Sequence, residues 1–366
     1  MANNKNQHFV PKSHFKPFSI NREGRAIHLF NLDNMRIIFN ASVKKQCSQD
    51  YFYGRNQKLE EAIQSVERGY AKCVSSLHEP DASIDEFHQV ALRRFAYLQH
   101  LRTEAAARRS AEMTFAVSSI GGASFQHPPM KDAIRDSVII AMQIFAETME
   151  SVDDLKVRIV RNTTTTPFIT SDDPAIIANR WHQSRRYAKH SGFGIYNAGI
   201  ILFLPLSPTL LAILFDGDVY RAEHSSGWID LSNPLDVDAC NHQQVLNCAA
   251  NLYFGDLDSK DYVKSIAHND KKFRPTEPFE LNTAIRDYST DTHTRYAVIP
   301  KQDIPDDGDI LVHVKSVRPV PQKWPSFLKL RNRRYVFTND TAEGYRRRMT
   351  AVPSSFDSPT WRKIRV

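Results

Sequence analysis

The chain has 366 residues, enough for one large domain with an appendage or for two domains, and 41% of them are hydrophobic, enough to bury a core. Cys47, Cys73, Cys240 and Cys248 show neither Cys-x-x-Cys spacing nor finger-spaced histidines, which excludes a zinc ribbon or a disulfide framework and predicts reduced thiols. The net charge of +7 is local: residues 315–366 carry thirteen Lys/Arg against Asp340, Glu343 and Asp357, a surplus of +10, so residues 1–314 are net −3.

Elements follow in order. The N-terminus lacks the apolar core of a secretory signal, so a cytoplasmic protein is expected. Residues 24–40 predict a hairpin turning at Asp33-Asn34. Leu59, Ile63, Val66, Tyr70 and Cys73 mark one apolar face of a helix over Leu59–Leu77. Ser83 with Glu86 reads as a capping box opening a second helix to about Met113, and a third is expected near Lys131–Met149. Strands are then expected over Leu155–Val160, Pro167–Thr170, Gly199–Leu204 and Leu210–Phe215.

The stretch Gly194–Phe215 is uncharged and long enough to suggest the roughly 20 residues of a membrane span. Pro205 and Pro208 break it, and it is read as two buried strands joined by a proline turn, with no membrane contact. Helices near Asp238–Tyr253 and Lys260–His268 and strands over Arg295–Pro300 and Ile310–Val317 complete the body. Strands, then helices, then mostly strands, without βαβ alternation or an internal repeat, predict an α+β fold: N-terminal hairpin, helical bundle, mixed sheet and basic C-terminal extension. The expected division is a main domain over 1–270 and an extension over 271–366, with a basic arm from about 315.

Gln7-His8-Phe9-Val10-Pro11, the Gln99-x-x-Arg102-Thr103 helix, Thr170-Ser171-Asp172-Asp173-Pro174 and Phe203-Leu204-Pro205-Leu206-Ser207-Pro208 occur in that order. Over roughly Gln7–Gly255 the chain resembles a bacterial family known as domain of unknown function 4238. The resemblance implies a fold and a short set of positions, and assigns no reaction. The basic end lies outside it.

Several side chains have two readings each. His8, in a segment held extended by Pro11, is a general acid/base or metal ligand, or it pins the N-terminal strand to the core. Arg102 falls beside or within the stripe of Phe95 and Leu98, where its guanidinium needs an anion: Asp172 or Asp173, or a substrate phosphate. Asp172 and Asp173 sit on a turn at a strand end, one functional or paired and the other a turn former; Asp172 is the candidate ligand for Mg or Mn. Gln99, Asn241 and Gln244 orient a substrate or satisfy buried carbonyls.

Arg185 and Arg186 lie in a basic-aromatic loop. Arg331, Arg333, Arg334, Arg346, Arg347 and Arg348, interleaved with rings such as Trp324 and Trp361, form the arm, expected to be irregular and partly packed. Cations beside rings suit phosphates and stacked bases, so the expected partner is nucleic acid, RNA above DNA. The leading expectation is a nucleic-acid-processing enzyme, a ribonuclease-like phosphodiester hydrolase in bacterial defence or toxin activity, with His8 as acid/base, Arg102 on phosphate and Asp172 or Asp173 as metal ligand or second base. The rival is a non-catalytic nucleic-acid-binding or sensing module whose polar residues form a buried network.

Overall fold

Two uncharged runs dictate the centre of the molecule. In the computed structural model, which describes residues 5–54, 57–120, 127–185, 192–291, 293–305, 309–341, 344–352 and 360–366, both runs are strands buried along their whole length. The fold is α+β.

The chain opens with β1 (Asn6–His8) and the one-turn α1 (Lys12–Phe15), begun at Pro11. The expected hairpin forms as β2 (Ala26–Asn31) and β3 (Arg36–Ser42), and β4 (Ser48–Asp50) returns to pair with β1, setting His8 opposite Ser48. A helical layer follows: α2 (Gln57–Ser76), α3 (Glu86–Arg102), α4 (Glu104–Ser118) and α5 (Met130–Thr148). The single helix expected from Ser83 to about Met113 is therefore two. Asp85 caps α3, its carboxylate accepting the His88 N–H at 3.0 Å. At Thr103 the backbone leaves helical geometry (φ −68°, ψ 155°) and the hydroxyl accepts the Ala106 N–H, capping α4. Apolar spacing continues across that break, so periodicity alone does not reveal it.

The main sheet is built from β5 (Lys156–Asn162), β7 (Ile176–Ala178), β8 (Ile201–Ser207), β9 (Leu210–Phe215) and β11 (Trp228–Leu231), with the short β6 (Thr170–Ser171), α6 (Arg180–Gln183) and β10 (Tyr220–Ala222) lying between them in the chain. Its order is β11-β5-β9-β8-β7, parallel only between β11 and β5. The β8–β9 turn falls at Pro208-Thr209. Pro205 stays inside β8 at a register shift, where β7 no longer runs alongside and no ladder donor is missed. No helix among the described residues is long and apolar enough to cross a membrane.

Alternation assigns each residue of this hairpin a side. Leu202, Leu204, Leu206, Ala212 and Leu214 face the core shared with α2, α3, α4 and α5. Ile201, Phe203, Leu211, Ile213 and Phe215 face a second core, covered by α7 (Pro234–Asn247) and by the C-terminal arm through Leu328, Val336, Trp324, Phe327 and Tyr345. The arm is thus the sheet's second covering layer. It contributes β16 (Leu328–Leu330), paired to β10, and the ribbon of β17 (Tyr335–Thr338) with β18 (Arg362–Arg365); these follow β12 (Asn251–Phe254), α8 (Lys260–Asp270), β13 (Phe279–Ser289), β14 (Thr294–Ile299) and β15 (Ile310–Ser316) in the chain.

Helix α7 ends at Asn247, six residues before the expected end, because Leu252-Tyr253-Phe254 is claimed by a second sheet of order β3-β2-β12-β6. β13 is the middle strand of the sheet β14-β13-β15, which rests on α4. At the end of β12, Gly255 lies where a Cβ would come within 2.4 Å of the Phe18 carbonyl oxygen, a backbone atom that cannot swing aside. Gly255→Ala is expected to lower the unfolding free energy by about 1–3 kcal/mol in urea titration, the range of ordinary overpacking; unchanged stability would mean that the Phe18 backbone yields freely.

Candidate functional site

The N-terminal segment places two histidines in different surroundings. His14 is fully buried and bridges two layers, Nδ1 lying 2.8 Å from the Tyr70 hydroxyl on α2 and Nε2 2.7 Å from the Thr170 hydroxyl on β6. Burial, and then the nearby Arg102 charge, push its pKa down to about 3, so the ring is neutral in the fold. His8 lines a cleft of about 350 Å³ with Lys12, Tyr53, Glu60, Glu67 and Arg68. Both its ring nitrogens are shielded from solvent without a hydrogen-bond partner. Burial first, then Lys12, lower its pKa to about 4, the Gln46 backbone opposing them and Arg102 adding a smaller push downward.

Arg102 is fully buried, as its place in the apolar stripe implies. Its partner is Glu67, at 2.6 Å, and not Asp172 or Asp173. Its Nε and Nη2 donate to the Gln99 side-chain oxygen at 3.0 and 2.8 Å, and the Gln99 amide donates to the Phe9 carbonyl at 2.8 Å. Tyr53 donates to the His8 carbonyl at 3.2 Å, joining the two residues' surroundings. Glu67 is the member that sequence reasoning missed, although the notation of α2 as an amphipathic helix leaves its acids free to pair. Arg102 and Gln99 are committed to one another, with no donor turned into the His8 cleft.

Asp172 and Asp173 lie apart from that cleft. Asp172 accepts three backbone N–H bonds, from Ala249 at 2.8 Å, Ala250 at 2.9 Å and Asn251 at 2.8 Å, closing the turn from α7 into β12. Burial raises its pKa to about 6, the Ala250 and Asn251 N–H groups opposing. Among the described residues no group of three His, Cys, Asp or Glu is placed to hold a metal, and both Asp172 carboxylate oxygens accept backbone N–H bonds. Asp173 points to α4, taking the Thr103 hydroxyl at 3.0 Å and Arg109 at 3.2 Å. Gln244 joins Ser171 (2.7 Å) to the Pro174 carbonyl (3.0 Å), and Asn241 spans the Ile169 N–H and the Pro167 carbonyl. All four cysteines are free and buried.

These motif residues therefore lock the N-terminal segment, α2, α3, β6 and α7 to one another. The profile of a family described as "Protein of unknown function (DUF4238)" matches residues 6–258. The chain belongs to that family. No curated protein and no solved structure matches it. The DUF4238 region stops short of the arm, whose candidate residues fall into three groups.

The first group is structural. Arg347 is fully buried and paired with Asp154, with Nη2 donating to the Ser151 and Ile195 carbonyls at 2.7 Å. Trp324 packs on the second core beneath Arg180. Arg331 donates to the Gly217 and Tyr220 carbonyls, and Arg334 to the Arg331 carbonyl. The second group is stacked: Arg185 lies over Trp181 and Tyr345, and Arg346 over Tyr196 and Trp361. The third is outward. Arg348 is exposed, 4.0 Å from Asp218, and Arg333 is exposed with no ion pair among the described residues. Arg186 lies outside the described residues.

Lys363 and Arg365, which sequence reasoning did not single out, join Arg333. Val336 and its cross-strand partner Ile364 turn into the second core, so the neighbouring pairs Tyr335–Arg365 and Phe337–Lys363 take the other face of the ribbon. The Lys363 ammonium lies 4.3 Å from the centre of the Tyr335 ring.

Two outcomes follow. Arg102→Ala strands Glu67 and Gln99, and urea unfolding is expected to show a loss of about 3–5 kcal/mol, typical of a broken buried pair; a loss below 1 kcal/mol would deny the pair its role. For His14, the folded pKa of about 3 lies below the unfolded value of about 6.5. Its contribution is intact above pH 6.5 and falls by up to ~1.4 kcal/mol per pH unit below it, as the unfolded chain gains a proton that the fold refuses. The stability gap between wild type and His14→Gln should therefore narrow by about 2 kcal/mol from pH 7 to pH 5. A constant gap would contradict the neutral ring.

Proposed function

We propose that this protein is a non-catalytic RNA-binding module that engages its partner through the outward face of the β17–β18 ribbon. One observation carries the reading: Lys363 stands over the Tyr335 ring and Arg365 across from it, both exposed, as is Arg333 two residues before the ring, with no carboxylate paired to any of them among the described residues. The motif side chains that a catalytic reading needs, Arg102, Asp172, Gln99, Asn241 and Gln244, are already occupied by internal partners. Cations free of internal partners can hold phosphates, and an exposed ring beside them can stack on a base; such contacts give affinity with little sequence choice. A single strand suits the ribbon better than a duplex, since its bases are open to stacking.

A second reading, a phosphodiester hydrolase acting on RNA in the cytoplasm, rests on His8. Its imidazole is neutral, unpartnered and set in a cleft beside Glu60 and Glu67, as a general base requires.

Binding of single-stranded RNA to the full chain, measured between 50 and 200 mM salt, tests the first reading. The triple variant Arg333→Gln, Lys363→Gln, Arg365→Gln should bind at least ~10-fold more weakly at the low-salt end, and its log–log salt slope should be shallower by about 2, three lost single-strand contacts at ~0.7 each. Arg347→Gln should lower the melting temperature and leave affinity per folded molecule unchanged. Equal affinity of the triple variant and wild type would remove the ribbon from the interface. For the second reading, labelled RNA and single-stranded DNA are incubated with and without Mg²⁺ or Mn²⁺; cleavage that persists in His8→Ala would strip His8 of a catalytic part.

A further inference from the structure

Behind α4, two guanidinium groups approach each other with one carboxylate between them. Arg109 has Asp173 as its ion-pair partner, at 3.2 Å, and that carboxylate is shared with the Thr103 hydroxyl. Arg318 has no hydrogen-bond acceptor and no ion pair among the described residues; its Nε is shielded from solvent and unpartnered, and its guanidinium carbon lies 5.8 Å from the centre of the Phe193 ring. Burial, and then the Arg109 charge, lower its pKa to about 10, with Asp173 opposing. The residue is half-buried: its Nε is shut off, while its Nη groups are open to solvent and have no partner of their own among the described residues.

The other charges nearby do not relieve it. Arg108 is spent on Glu104, and Arg274 on the Val245 and Ala249 carbonyls and the Cys248 sulfur. His100 is neutral, its pKa pushed down to about 3 by burial and then by Arg318 and Arg109. Glu112 lines the same recess and makes no hydrogen bond or ion pair with either arginine. Arg109, Arg318 and Asp173 together leave one positive charge.

Arg109 and Arg318 stand on a wall shared by two cavities. One, of about 320 Å³, is closed by Asp173, Cys248 and Arg274. The other, of about 640 Å³, runs between α4 and α5 and is lined by Met113, Val117, Ile140, Ala141, Ile144 and Val314. Ile140 is 55% exposed and Ile144 42%, unusual for large aliphatic side chains so close together on one helix.

We propose that this is a binding site for an amphipathic monoanion, a carboxylate gripped by Arg318 and Arg109 whose apolar chain lies in the groove between α4 and α5. The guanidinium fork matches a carboxylate in two-point fashion, the single surplus charge matches a single negative one, and the chain covers Ile140 and Ile144. Arg318 and Val314 lie beyond residue 258, so the site is completed by a segment outside the DUF4238 match. It is separate from the RNA reading and does not depend on it.

The probes are decanoate, acetate and decyltrimethylammonium, titrated calorimetrically into the full chain below their micelle concentrations. Decanoate should bind one to one, with acetate (no chain) and decyltrimethylammonium (opposite charge) at least ~10-fold weaker. Arg318→Met should weaken decanoate at least ~10-fold and leave the melting temperature of the unliganded protein unchanged or raised, since it removes a group that makes no bond; Ile140→Asp should weaken decanoate while Arg318 is intact. Equal binding of all three probes, or full decanoate affinity in Arg318→Met, would overturn the proposal. A lower melting temperature in Arg318→Met with unaltered decanoate binding would overturn it equally, marking Arg318 as structural.

Discussion

The β8–β9 hairpin must be covered on both faces, and most of the architecture answers that demand. Its strands have no polar side: Leu202, Leu204 and Leu214 point one way, Ile201, Phe203 and Ile213 the other. Each such side chain is worth about 1.5–3 kcal/mol when removed from water, so neither face can be left open. Helices α2, α3, α4 and α5 cover the first. The second needs α7 and, from more than a hundred residues downstream, Leu328, Val336 and the rings of the arm. Arg347 illustrates the cost of making a basic segment part of a core, because its guanidinium is buried and has to be met by Asp154 and two carbonyls.

Joining layers this way leaves polar groups at the seams. His14 between Tyr70 and Thr170, Gln99 between Arg102 and Phe9, Gln244 between Ser171 and Pro174 and Asp172 on three backbone N–H groups are each a seam bond connecting elements distant in sequence. In a low dielectric such bonds are strong when complete and costly when broken, which makes the network specify one arrangement of the layers. All of these residues lie within the span matched by the DUF4238 family, so that span holds the bonds that join the layers. His8, whose ring nitrogens have no hydrogen-bond partner, departs from the pattern.

How far the sequence revealed this can be traced residue by residue. The β8–β9 strands, α2, α5 and α8, the hairpin and the inward set of Arg102 were legible because each depends on local periodicity or on a single charge in an apolar stripe. The break at Thr103 was not, because a residue can close one helix and cap the next without disturbing apolar spacing. The early end of α7 was hidden since Leu252-Tyr253-Phe254 suits helix or strand until β2 and β6 claim it. Glu67 as the partner of Arg102 was hidden for another reason: α2 and α3 cross in space, and pairing across two helices leaves no trace in spacing along either. The partial packing of the arm was expected, but not which residues pack, because composition counts cations and rings without recording which of them face a core.

That last point bears on what a local surplus of positive charge means. In the arm the surplus is divided by geometry: Arg347 is neutralised inside, Arg346 stands over rings, and Arg362 is held by Asp340. The charge left to act outward is on Arg333, Lys363 and Arg365, in high dielectric, where each cation is worth little alone and several in a row suit a repeating polyanion. Arg318 is the opposite case. It belongs to the same basic end, yet it is half-buried in a recess, its neighbour Arg109 repels it and the nearby carboxylate of Asp173 is already paired with Arg109. A cation there gains most from one well-placed counter-charge and nothing from a chain of them. The basic terminus thus sets its cations in two kinds of surroundings, and the burial of each guanidinium decides which kind of anion would suit it.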